Sequence, residues 1–314
     1  MLAAHDRAVP SLHTLIDDPA SADIILFVGC WRERGAGVVD SPLPKTYPDK
    51  AFIYVDDDGF SPLLPGIYAN AEKAGLFDSR RTESQMFIDS LNPNIQPMSV
   101  EKKYLFSFAG GSTSLLRKRL YKMKFERPDV LIENTSSYYH WDPSQSDREE
   151  RQRRYAATIA ASHFVLCPRG ASAGGLRLFE TMQMGVCPVV ISDKLQLPVG
   201  PDWERIVIRI AERDLKRVDT ILAARVGEAA ERGRLAKEAF EQWFAPTVVF
   251  NNIVSACARI KQERRVSEAW VRPLWGLMLW KVRMRLRART MAKSAVLAVF
   301  RLMGKRFVYD LNAR

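Results

Sequence analysis

Arg177 and Glu180 stand three residues apart at the start of a helical pattern, directly behind the run Pro168-Arg169-Gly170-Ala171-Ser172-Ala173-Gly174-Gly175. This combination suits the holding of a nucleoside diphosphate. Glycines let backbone amides approach phosphate oxygens, and a helix N-terminus adds unpaired N–H groups and partial positive charge. An arginine in the first turn can grip a diphosphate with its planar fork. Glu180 shares its helix face, where a carboxylate can accept hydrogen bonds from ribose 2′- and 3′-hydroxyls. The residue types also allow a plainer arrangement, an i,i+3 ion pair over an ordinary strand-to-helix turn. Ser192 and Asp193 close the strand that follows and belong to the same group.

Three other groups carry chemistry. Gly110-Gly111-Ser112 with Arg117 is a second glycine turn before a helix, with amides to steady a leaving diphosphate and an arginine to offset its charge. The alternative is a simple turn with a solvated basic helix face. Asp56-Asp57-Asp58 ends a strand pattern and reads first as exposed carboxylates, with Asp56 a candidate base. Tyr138-Tyr139-His140-Trp141-Asp142 offers rings for sugar stacking, with Asp142 or His140 as a base, or else aromatics packed on the domain.

These groups need strands and helices to hold them. Short apolar runs at residues 22–29, 50–56, 103–108, 129–133 and 205–210 predict buried strands, as do the two flanking the Arg177 helix. Helical patterns cover residues 148–162, 212–224, 227–244 and 251–260. The alternation predicts a parallel α/β organisation. Apolar periodicity lapses between two prolines near residue 98. The expected division is 1–98, 99–260 and a tail at 261–314.

The chain has 314 residues, 47% of them hydrophobic, enough for one large domain or two ordinary ones. Residues 261–314 hold 14 Lys/Arg against 3 Asp/Glu, a surplus equal to the whole chain's net charge of +11. The body is therefore neutral, which argues against a nucleic-acid binder. Within the tail, Leu274, Trp275, Met278, Leu279, Val282 and Leu286 recur at helical spacing among arginines. An amphipathic helix lying on an anionic membrane is the expected use. Four scattered cysteines fit no zinc spacing or disulfide framework. No signal-peptide pattern and no apolar run of about eighteen residues is found. The expectation is a cytoplasmic protein, peripheral at the inner face of the membrane.

The order Cys167-Pro168-Arg169-Gly170, Arg177-Leu178-Phe179-Glu180, Gly185, Pro188-Val189-Val190-Ile191-Ser192-Asp193, then Pro198 and Trp203, resembles the signature of exostosin-like glycosyltransferases, glycosyltransferase family 47. Further matches run from about residue 50 to 245. The resemblance implies a GT-B-like α/β fold, two Rossmann-like domains facing a cleft, to which this chain adds the basic amphipathic helical tail. It implies an inverting glycosyltransferase with no metal and no cofactor. The donor would be a nucleotide-sugar, UDP-linked by expectation, and the acceptor a saccharide or lipid-linked saccharide in surface polysaccharide or glycolipid synthesis. Arg177, Asp142 and Asp56 would be catalytic. Glu180, Arg169, Gly170, Gly174, Gly175, Gly110, Gly111, Ser112, Arg117, Ser192 and Asp193 would bind the donor. Members commonly place a serine just before the arginine, where this chain has Ala173-Gly174-Gly175. A non-catalytic membrane- or nucleic-acid-associated protein on the same scaffold is the alternative.

Overall fold

A computed structural model describes residues 1–29, 37–55, 63–69, 80–86, 92–137 and 147–302. The chain enters through α1 (Leu2–Asp6), β1 (Ile25–Gly29), α2 (Leu43–Thr46), β2 (Ala51–Val55), β3 (Gly66–Tyr68) and β4 (Thr82–Ser84). These four strands form one parallel sheet in the order β1-β2-β3-β4. The second parallel sheet is built from β5 (Tyr104–Gly110), α3 (Leu115–Lys122), β6 (Val130–Asn134), α4 (Arg148–Ala160), β7 (Ser162–Pro168), α5 (Leu176–Gln183), β8 (Cys187–Ile191), α6 (Trp203–Ile206) and β9 (Ile208–Arg209). It is followed by α7 (Val218–Ala223), α8 (Ala229–Trp243), α9 (Val249–Glu263), α10 (Glu268–Val271) and α11 (Trp275–Leu302).

The two sheets are parallel and helix-covered, as the alternating pattern predicts. β3 and β4, three residues each, are too short to carry a periodicity of their own and are not among the strands expected from the sequence. β2 is buried on both faces, so it reads as one apolar run rather than an alternation. Phe52 and Tyr54 face Val249, Ile253, Ala256, Cys257 and Ile260 of α9. Ala51, Ile53 and Val55 pack with Val38, Leu63, Leu64 and Tyr68, and with Trp275 and Leu279 at the start of α11. Helices from the far end of the chain thus cover the first sheet on both sides. α9, grouped by sequence with residues 99–260, packs on β2.

The junction before α11 is held by polar bonds. Arg264 and Ser267 donate to the Asp49 carboxylate at 2.9 and 2.7 Å, and the Glu268 amide adds a third bond at 2.8 Å. Glu268, only 4% exposed, pairs with Arg81 at 2.8 Å.

The second sheet has the order β6-β5-β7-β8-β9. From β5 the chain moves outward to β6, then returns to place β7 on the other side of β5. That reversal is a topological switch point. In open parallel sheets it opens a crevice at the carboxyl ends of the two central strands, here β5 and β7. α3 and α7 cover one face, through Leu116, Leu120, Val218 and Leu222. α5 and α8 cover the other, through Leu178, Met182, Ala236 and Phe240.

Candidate functional site

β5 ends at Gly110 and β7 at Pro168, so the two glycine turns picked out in the sequence emerge side by side at the switch point. Ser114 joins them. Its hydroxyl caps α3 by accepting from the Arg117 amide at 3.2 Å and donates to the Arg169 carbonyl at 3.0 Å. Tyr121 donates to the Gly110 carbonyl, which fixes the end of β5 from the same helix. Burial pushes the Tyr121 hydroxyl up to about 12, so it stays a donor.

Arg117 and Arg177 meet over Phe108. Their guanidinium carbons lie 5.4 and 4.5 Å from the centroid of that ring. Arg117 donates to the Pro168 carbonyl at 3.1 and 3.3 Å and to the Gly111 carbonyl at 3.2 Å. Arg177 donates to the Ala109 carbonyl. Neither arginine forms an ion pair with a carboxylate among the described residues, and the Arg177 Nε is buried without a partner. Burial, then repulsion from Arg177, lowers Arg117 to about 10. Two like charges gathered in a partly buried crevice are unfavourable unless an anion joins them.

The glycines have separable duties. A Cβ on Gly110 would stand 2.7 Å from the Arg177 Nη2, and one on Gly170 would stand 3.2 Å from the Arg117 Nη2. These two make room for the arginines. Gly111 and Gly175 have no such constraint, with nothing closer than 3.7 Å at the first and nothing within 4 Å at the second. Ser172 donates to the Gly174 carbonyl at 3.2 Å, shaping the turn before α5. Gly175 is the N-cap of α5, which has neither a side-chain cap nor an acidic residue in its first turn.

Glu180 is 8% exposed and accepts a 2.7 Å hydrogen bond from the Tyr155 hydroxyl. It forms no direct ion pair with Arg177, so the plain i,i+3 arrangement is not the one adopted. Burial pushes the Glu180 carboxyl up, against the Tyr155 bond and the nearby Arg177 charge. Burial pushes the Cys167 thiol, at the end of β7, up to about 12.

Arg169 donates to Glu212 at 2.7 Å, and Glu212 and Asp193 exchange backbone-to-carboxylate bonds at 3.0 and 3.3 Å. Arg169 and Asp193 therefore tie the ends of β7 and β8 to the turn at Glu212, and the Arg169 charge is compensated by Glu212. Ser192 is 3% exposed with a hydroxyl that has no partner. The Ser112 amide is taken by Ser136 at 2.9 Å. Asp56, Asp142 and the aromatic residues Tyr138 to Trp141 lie outside the described residues. No group of three His, Cys, Asp or Glu suited to a metal ion occurs among the described residues. Sequence reading missed Tyr155, Ser114 and Tyr121. Each acts across elements, and no local spacing announces it.

Residues 82–224 match the Exostosin GT47 domain. The chain is 32% identical over 157 residues to an exostosin-1 homolog of Caenorhabditis elegans, covering 45% of this chain and 41% of that protein. It is 32% identical over 141 residues to a probable glucuronosyltransferase of Oryza sativa subsp. japonica, covering 42% and 29%. The chain thus spans less than half the length of these relatives. A crystal structure of Acinetobacter baumannii MurG covers 77% of this chain and 75% of its own, at 13% identity and a TM-score of 0.34. The matched segment, from β4 to α7, contains every switch-point residue described above and is similar to the exostosin GT47 domain.

Proposed function

We propose that this exostosin-like chain transfers a sugar from a nucleotide-sugar to a saccharide acceptor, and that the crevice between the ends of β5 and β7 holds the donor's diphosphate. The observation that carries this reading is the Arg117–Phe108–Arg177 stack. It holds two guanidiniums that form no ion pair with a carboxylate among the described residues, one of them with a buried unpartnered Nε, beside an uncapped helix N-terminus. A diphosphate supplies the missing negative charge, and the same groups stabilise it more as it leaves with a full extra charge.

In this reading the reaction inverts the anomeric centre and uses no metal, because the arginines and α5 neutralise the leaving group. Glu180 lies near Arg177 without pairing to it, its carboxylate held by the Tyr155 hydroxyl. The acceptor belongs to polysaccharide or glycolipid synthesis, and the donor is UDP-linked. The base that takes the acceptor proton is assigned to Asp142 or Asp56.

The test is calorimetric titration of UDP, GDP and a panel of their sugars into the full chain and its Arg117→Ala and Arg177→Ala variants, with nucleotide release followed in parallel. Wild type should bind one nucleotide class and release it on adding acceptor. Unchanged affinity in both variants would sink the site assignment.

A further inference from the structure

α11 has two apolar sides, and the fold uses one of them. Trp275 and Leu279 pack on the core that contains Ala51, Ile53 and Val55. At about 100° per residue, Leu277, Trp280, Met284, Ala288 and Met291 fall on the opposite side. All five are exposed, Trp280 by 55% and Met291 by 71%. Lys281 flanks this stripe on one edge and Arg287 and Arg283 on the other, all three exposed. The side expected from the sequence to meet a membrane includes Trp275 and Leu279, which are already committed to the first sheet.

The chemistry of the outer stripe narrows its occupant. No acidic residue occurs between Trp275 and Leu302, and the tail as a whole carries 14 basic residues against 3 acidic ones. A second copy of the same helix would bring cations against cations with nothing to offset them. Phosphates of a nucleic acid would satisfy the cations, but leave Leu277, Met284 and Met291 in water. A sheet of anionic headgroups over hydrocarbon satisfies both. At 28 residues the helix is about 42 Å long. No helix among the described residues is long and apolar enough to cross a membrane.

We propose that the outer stripe of α11 docks the protein on an anionic lipid bilayer. The helix lies in the interfacial plane, with Leu277, Trp280 and Met284 among the upper acyl chains and Lys281, Arg283 and Arg287 on lipid phosphates. This docking is independent of the nucleotide reading.

The experiment is flotation of the full chain with phosphatidylcholine vesicles, with and without phosphatidylglycerol, over a range of salt. The protein should float with the anionic vesicles and detach as salt rises. The Leu277→Ser, Trp280→Ser, Met284→Ser triple variant should weaken binding by about tenfold or more, since each removed side chain forfeits buried apolar area. The Lys281→Glu, Arg283→Glu, Arg287→Glu variant should weaken it similarly. Trp280→Ser alone should show an intermediate loss. Their nucleotide affinity and thermal midpoints should match wild type, because every changed side chain is exposed. Flotation untouched by the triple variant overturns the proposal, as does equal flotation with neutral vesicles. Stripe-dependent self-association without flotation would assign the surface to a second copy. Oligonucleotide binding lost on charge reversal but kept in the triple variant, again without flotation, would assign it to nucleic acid.

Discussion

Tyr155 donates its hydroxyl to Glu180 at 2.7 Å, and this bond decides what Arg177 is free to do. Glu180 follows Arg177 by one helical turn and is its natural ion-pair partner. The tyrosine, arriving on α4, claims the carboxylate instead. Arg177 then lies 6.0 Å from the Tyr155 ring and 4.5 Å from Phe108, flanked by aromatic faces rather than by an anion. Its charge is held in position with no carboxylate bonded to it among the described residues.

Arg177→Ala should reduce nucleotide affinity by about 10- to 100-fold, the loss typical of a charge-assisted contact in a partly buried site. Arg177→Lys should restore only part of it, because an ammonium cannot reproduce the fork on phosphate. Titration calorimetry with UDP and GDP measures both. Equal affinities in wild type and Arg177→Ala would show that the diphosphate binds elsewhere.

The Glu180 carboxyl is raised above its ordinary 4.5 by burial. In the pH interval between 4.5 and the folded value, the folded protein binds the extra proton and the unfolded chain does not. This group therefore lowers stability as pH rises through that interval. Glu180→Gln should remove that component of the slope, and Tyr155→Phe should extend it to higher pH by deleting a bond to the charged form. Thermal midpoints of the three proteins across the mildly acidic range provide the check. Parallel curves for all of them would contradict the assignment.

Gly110 and Gly175 should answer differently to a side chain. Gly110→Ala puts a methyl 2.7 Å from the Arg177 Nη2, so the guanidinium must move. Nucleotide affinity should fall by about as much as in Arg177→Ala, that is 10- to 100-fold. Gly175→Ser meets nothing within 4 Å and supplies α5 with a side-chain cap it lacks. Stability should rise by a few tenths of a kcal/mol, and nucleotide binding should hold or tighten. Calorimetry paired with thermal unfolding distinguishes the two effects.

Glu268 and Arg81 form a pair in which the carboxylate is almost fully enclosed. Glu268→Ala should cost about 2–3 kcal/mol, less than a fully buried pair because Arg81 keeps some access to water. Exchanging both residues for methionine should recover much of that loss. Denaturant unfolding reads it out. Loss of the α10 and α11 region should destabilise the first sheet as a whole, since Trp275 and Leu279 cover it.

The glycine turn, Arg177 and the strands around them were legible because they are local in sequence. Arg177, the turn before it and the strands on either side sit within one unbroken stretch, and glycine, arginine and helix start follow each other at fixed spacing. Parallel strands buried on both faces also announce themselves as apolar runs. What the sequence by itself determined was therefore the α/β class, the resemblance to exostosin-like glycosyltransferases and the two glycine turns that matter. Only the tertiary structure decided which charges are free. Arg169, equal to Arg117 by residue type, is neutralised by Glu212 from 43 residues away. Glu180 is taken by Tyr155 from 25 residues away, and two arginines 60 residues apart converge on one ring. The same holds for α11, whose two apolar sides are indistinguishable until one of them is laid against β2. A side chain's type sets what it can bind, but the groups that compete for it arrive through the fold.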